Sequence, residues 1–198
     1  MASEVAVLLY PGCIFFEIAL AAEVLRPYFP VRFYTPDGQA HEASNGARLQ
    51  ASGDLAALAI APAQAVLVPG GDPRSVLLPQ PLPAQALQAQ AKAGAVVAGI
   101  CAGNLVMAAC ELLRGRRGTH NYTAEHAPTE KVEATAAYWQ GLHFERADVV
   151  RDGAIITAQP WAYRAYAAEL ALALGVMDAD AARALRDYPV SRSYGRLT

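Results

Sequence analysis

The sequence is short of cysteine, of charge and of long apolar runs. It has three cysteines in 198 residues, an odd number with no CxxC pair and no His-rich spacing, which argues against a disulfide framework or a zinc site. Charged residues make up 17% and the formal net charge is −2. Arginines gather only in small clusters (Arg114, Arg116 and Arg117; Arg192 and Arg196), too sparse for a nucleic-acid footprint. No stretch of about 18 uninterrupted apolar residues is present to span a membrane. The opening "MASEVAVLLYPG" carries an acid at Glu4, and its apolar run is too short for the core of a signal peptide. These absences predict a cytoplasmic protein without nucleic-acid or membrane partners. Any cysteine that matters would matter as a thiol.

What the chain has is hydrophobic residues, at 54%, enough for a sizeable core, and its length predicts one domain over residues 1–198. Short apolar runs at 5–10 (VAVLLY), 31–35 (VRFYT), 65–71 (AVLVPGG) and 95–100 (AVVAGI) are closed by turn residues. Helical spacing follows at roughly 16–26, 83–93, 103–113, 127–139 and 162–174, with a shorter candidate near 179–187. This alternation predicts an α/β fold with a mostly parallel central sheet and helices on both faces. The segments 46–52 and 143–158, the latter joined at Asp152-Gly153, have the look of hairpins, and 116–119 of a further strand. Residues 186–198 are expected to form a polar tail.

One stretch stands out. "GICAG" (99–103) carries a β-branched run into a helical pattern. In an open parallel sheet, reactive groups collect where strands end and helices begin. Small residues at 99 and 103 let the chain turn tightly there, as they do around nucleophilic serines on strand-to-helix elbows. Cys101 is therefore the candidate nucleophile, and a thiol at a helix N-terminus is expected to have a lowered pKa. Cys13 and Cys110 lack such a setting and are assigned to the core.

A nucleophile needs a proton carrier and a place for developing negative charge. Gly70 and Gly71, at the end of "VLVPGG", and the amide of Ala102 are candidate backbone donors. Glu17 falls among Phe15, Phe16 and Ile18, where burial would raise its pKa and suit it to share a proton with a thiolate. His120, in "GTHNY", is placed to return to the same rim as a second polar group. Glu23, His41, His126 and His143 have no converging context and are assigned structural places.

Taken together these stretches resemble the DJ-1/PfpI superfamily. The resemblance rests on "LLYPG" followed by Glu17, on "VLVPGG", on "GICAGNLVMAACELLRGRR" running into Thr119-His120, and on "VVRDGAIITA" before the last long helix. It is collinear over roughly residues 5 to 175. It implies a flavodoxin-like three-layer sandwich, usually dimeric, and hence a homodimer. It places Cys101 at the nucleophile elbow, Glu17 as the acid touching its sulfur and His120 as the nearby histidine, with Gly70, Gly71 and Ala102 as backbone donors.

The implied partner is a small-molecule electrophile, with neither metal nor organic cofactor. Protease-like members carry His directly after the cysteine; Ala102 stands there, so a Cys-His peptidase is not expected. Isonitrile-hydratase-like members typically pair an Asp with Cys-Thr-Gly, whereas this chain has Glu17 and Cys-Ala-Gly. The resemblance thus leans to the glyoxalase and deglycase reactions of DJ-1-like members. Isonitrile hydration and a cysteine-based oxidative-stress sensor stand as alternatives. Trp161, Tyr163 and Tyr166 are unusual for the family and are expected to reshape the pocket.

Overall fold

The computed structural model describes residues 3–188; most of the expected polar tail, with Arg192 and Arg196, lies outside the described residues. In chain order the elements are β1 (Glu4–Leu8), α1 (Phe16–Leu25), β2 (Val31–Tyr34), β3 (His41–Glu42), β4 (Arg48–Leu49), α2 (Leu55–Ile60), β5 (Ala63–Val68), α3 (Arg74–Leu77), α4 (Ala84–Lys92), β6 (Val96–Ile100), α5 (Gly103–Ala109), β7 (Arg117–Gly118), α6 (Thr129–Thr135), a 3-10 turn (Ala136–Trp139), β8 (His143–Phe144), β9 (Val149–Asp152), β10 (Ile155–Ala158), α7 (Tyr163–Ala173) and α8 (Ala179–Arg186). Six strands form one sheet in the order β2-β1-β5-β6-β10-β9, parallel throughout except for β9 at the edge.

The middle strands are apolar on both faces because both are covered, as parallel sheets require. Every residue of β1 and β6 is buried. α1 packs on α7, and α7 on α8, while α2 packs on α4 and α5 on β5 and β6. Gln88 Nε2 ties α4 to the end of α5 by donating to the Cys110 carbonyl at 3.0 Å. Glu4, buried in β1, is compensated from β2: Arg32 Nε lies 3.1 Å from Oε2 and the Tyr34 hydroxyl donates to Oε1, which is what a buried carboxylate needs.

Three expectations change in detail. The segment 143–158 is not one hairpin: only β9 and β10 pair antiparallel around Asp152-Gly153. His143–Phe144 instead runs parallel to β7, because the carbonyls of Arg116 and Gly118 accept from the amides of His143 and Glu145, both at 2.8 Å. α5 stops at Ala109 rather than 113, since Glu111 turns left-handed (φ 60°) and Leu112 N donates back to the Met107 carbonyl. The 127–139 helix breaks into α6 and the 3-10 turn at Thr135, whose hydroxyl donates to the Lys131 carbonyl at 2.9 Å.

Candidate active site

Cys101 sits where β6 ends and α5 begins, with φ at 57°, a left-handed conformation rare for a residue with a side chain. Two neighbours hold it there. Cys101 N donates to the Ala158 carbonyl of β10 at 3.0 Å, and Asn104 N donates to the Cys101 carbonyl at 3.2 Å. Strain of this kind persists only where surrounding contacts enforce it. The flanking glycines are steric necessities. A Cβ on Gly99 would lie 2.6 Å from Met107 Sδ, and one on Gly103 would collide with the Val68 carbonyl oxygen of β5. Gly103→Ala is therefore expected to destabilise the fold by about 3 kcal/mol, read as a lowered urea midpoint.

Glu17 reaches the cysteine from α1. The preceding loop is pinned to the turn after β5: the Tyr10 hydroxyl donates to the Pro69 carbonyl at 2.8 Å, and Ile14 N to the Gly70 carbonyl at 2.9 Å. The Glu17 side chain is buried, and Gly70 N donates to its Oε2 at 2.8 Å. Carboxylate and thiol lie side by side and act on each other's ionisation. They meet over the bare α-carbon of Gly70, where a Cβ would lie 2.5 Å from Glu17 Oε2 and 2.7 Å from Cys101 Sγ. Gly70 is thus corrected from an expected donor to developing charge: its amide holds the carboxylate. The amides directed at the sulfur are those of Gly71 and Ala102.

The electrostatics also depart from expectation. Burial, and then the Glu17 carboxylate, push the Cys101 thiol up to about 12, against the pull of the Ala102 and Gly71 amides. The expected lowering by the helix terminus is overturned because the sulfur is enclosed beside an acid and burial penalises its charge. Burial likewise raises Glu17 to about 7, against the pull of the Gly70 amide and the Cys101 thiol. The two groups act as one coupled pair. From about pH 7 to about 12 the pair holds a single proton. The higher thiol value leaves that proton on the sulfur at rest, and its transfer to Glu17 makes a thiolate facing two amides and no charged carboxylate.

His120 lies on the same rim, but its Nδ1 is engaged elsewhere. Tyr122 N donates to Nδ1 at 3.1 Å, which fixes the neutral tautomer with its proton on Nε2. The ring stacks on Trp139 with centroids 3.9 Å apart, and Phe144 closes on it at 4.9 Å. Burial lowers its pKa from 6.5 to about 4. His120 is therefore a neutral ring in an aromatic wall rather than a base for the thiol. Because its folded pKa is depressed, the unfolded chain binds more protons, and this contribution to stability is lost as pH falls from 6.5 through about 4. Replacing His120 by Phe is expected to flatten the acid limb of the unfolding curve in that window, measured by urea melts at stepped pH.

Gln159, buried at the end of β10, fixes this rim: Nε2 donates to Thr119 Oγ1 at 2.7 Å and to the His120 carbonyl at 3.1 Å. Of the aromatic residues expected to reshape the pocket, Tyr166 is fully buried and its hydroxyl supports the Ala98 carbonyl of β6 at 2.8 Å. Tyr163 packs edge-on to Phe16, and Trp161 bonds Asp148. None of them lines the cleft beside Cys101. That cleft, of about 670 Å³, is lined by Gly71, Leu105 and Tyr122, which lie between it and Cys101, and by the exposed side chains of Asp72, Arg74 and Lys131; Cys101 itself is not in its lining. Tyr122, whose phenol is pushed up by burial and then by the nearby Cys101, stands only two residues beyond His120 in "GTHNY". Its place was open to inference, whereas the approach of Lys131 and Trp139 depends on a connection with no motif. Among the described residues no group of three or more His, Cys, Asp and Glu side chains is arranged to hold a metal ion.

A sheet of this order with a cysteine on a left-handed strand-to-helix elbow defines a flavodoxin-like α/β protein with an elbow thiol. The chain belongs to the DJ-1/PfpI family, whose model matches residues 3–173. Similar solved structures include a DJ-1 superfamily protein from Agrobacterium tumefaciens (24% identity, TM-score 0.78, covering 94% of this chain and 97% of that one). Another is a cysteine-to-alanine mutant of a DJ-1 superfamily protein from Salmonella typhimurium (25%, 0.74, 95% and 98%). A third is Drosophila melanogaster DJ-1beta (23%, 0.74, 93% and 96%). No curated protein matches the chain.

Proposed function

We propose that this chain is a cysteine-dependent enzyme that adds water to a small electrophilic carbonyl compound, in the manner of the glyoxalase and deglycase reactions. The supporting observation is the meeting of Glu17 and Cys101 over Gly70, with the Gly71 and Ala102 amides on the sulfur. For a 2-oxoaldehyde such as methylglyoxal, the thiolate attacks the aldehyde carbon and forms a C–S bond. The displaced electron pair goes to oxygen, which the two amides stabilise and Glu17 protonates. The Glu17 carboxylate then takes the proton from that carbon, the hydroxyl proton passes to the neighbouring oxygen, and a proton returns to the neighbouring carbon, giving a 2-hydroxy thioester. Water cleaves the thioester, releasing the hydroxy acid and the thiolate.

Oxidant and reductant are the two carbons of the substrate, so no external electron carrier enters. His120, neutral and stacked, serves as a wall and not as a proton carrier. The protein acts on its substrate as a homodimer in this reading. The test is a panel of methylglyoxal, glyoxal and an alkyl isonitrile, with product followed by proton NMR. Hydroxy-acid formation from the oxoaldehydes supports the reading. Turnover of the isonitrile alone would replace it with isonitrile hydration. A peroxide-dependent mass gain at Cys101 with no turnover would replace it with an oxidative sensor.

A further inference from the structure

The cleft beside Cys101 is unevenly charged. Among the described residues that line it, Asp72, Arg74 and Lys131 carry charge, and the remainder are apolar or neutral. Asp72 and Arg74 are already joined: Arg74 Nε donates to Oδ1 at 2.9 Å and to Oδ2 at 2.8 Å, with Nη2 also on Oδ2. Lys131, from the first turn of α6, makes no ion pair among the described residues. It nevertheless lies near enough for its charge to act on Asp72. The sum is one positive charge at the outer wall and a largely apolar passage leading in to Gly71 and Tyr122, beside the sulfur. A substrate of matching form has an electrophilic carbon at one end and a single negative charge at the other. A dianion would meet Asp72 without a second free cation to offset it.

We propose that this cleft selects electrophiles that carry a carboxylate, such as oxo acids and aldehyde acids, with Lys131 and Arg74 receiving the carboxylate and Asp72 acting as its internal competitor. The proposal rests on the reading of Cys101 as a nucleophile that substrate reaches from this cleft, past Gly71 and Tyr122. It needs no particular turnover chemistry. Lys131 and Arg74 act on binding, so their effect belongs in KM rather than kcat, and it weakens as salt screens exposed charges.

The closing experiment separates the charge site from catalysis by using two alkylating probes of nearly equal size. Iodoacetate is an anion and iodoacetamide is neutral; with both, the thiolate forms a C–S bond and iodide leaves. The ratio of their rates at Cys101, read by peptide mass spectrometry at pH 8 and low salt, reports the charge preference of the cleft. Lys131→Met is expected to lower that ratio about fivefold, the size of effect one exposed charge exerts at close range in water. Lys131→Arg is expected to restore it, and Asp72→Asn to raise it above wild type. Movement in these opposite directions supports the carboxylate site. A ratio indifferent to both Lys131→Met and Asp72→Asn overturns it. If the ratio responds while glyoxylate and methylglyoxal are both left unconverted, the catalytic reading fails and the charge site stands. If both carbonyls are converted and the ratio is indifferent, the charge site fails and the catalytic reading stands.

Discussion

Replacing Cys101 by serine is expected to reduce turnover of any reactive carbonyl to background, a loss on the order of 10⁴-fold or more. The substitution keeps the volume and polarity of the side chain, so the elbow and its bonds to Ala158 and Asn104 are retained. What disappears is the reactive anion, because a hydroxyl ionises far less readily than a thiol beside the same two amides. Cys110→Ser provides the contrast. Cys110 is fully buried near the end of α5 and its thiol is pushed up to about 12 by burial alone. Its replacement costs stability and leaves chemistry in place. Initial rates with equal folded protein, checked by circular dichroism, distinguish the two. Equal losses in both variants would mean that Cys101 has no special role.

The second large effect is that of Glu17→Gln, expected to lower the rate by about 10²-fold or more, within the range of general acid-base catalysis. Glutamine can still accept from Gly70 N through its carbonyl oxygen, so the α1 loop keeps its anchor. It cannot take up the proton that the pair shares. Glu17→Asp is expected to fail as well: one methylene shorter, its carboxylate falls short of the bare α-carbon over which it must meet the sulfur. The loss in Glu17→Gln should appear in kcat more than in KM, since the carboxylate contributes to proton movement and not to holding substrate. A rate within twofold of wild type would remove Glu17 from the mechanism.

The fold was legible because its signals are local. β5 and β6 are apolar runs closed by Pro69-Gly70-Gly71 and by the Gly99–Gly103 elbow, and buried parallel strands flanked by turn residues leave little choice of architecture. The elbow itself was legible through Gly103, a position where only a missing side chain lets α5 approach Val68. Charge distribution within the site was not. Gly70 and Gly71 are adjacent and alike in sequence, yet the first amide faces Glu17 and the second faces the sulfur. That division depends on how α1 is docked, which depends on Tyr10 and Ile14 binding the turn.

The direction of the Cys101 shift is hidden from the sequence for a related reason. A helix N-terminus lowers a thiol pKa only as far as solvent and neighbours allow, and enclosure beside Glu17 reverses the balance. A lone histidine in a loop carries no sequence signal for burial in an aromatic wall, so His120 reads from the sequence as a polar group. Its stacking on Trp139 comes from the β7–β8 pairing, which brings residues 118 and 144 together.

The proposed chemistry rests on Cys101 and Glu17 sharing one proton. The most direct test is the pH dependence of iodoacetamide labelling, resolved to each cysteine by peptide mass spectrometry, in wild type and Glu17→Gln. Wild-type Cys101 is expected to label slowly at pH 7, with a midpoint well above the ordinary thiol value of about 8.5, because burial and the Glu17 carboxylate hold the thiol up. In Glu17→Gln the midpoint is expected to move downward, because the carboxylate's push on the thiol is gone. A wild-type midpoint at or below about 8.5, unmoved by Glu17→Gln, would contradict the coupling.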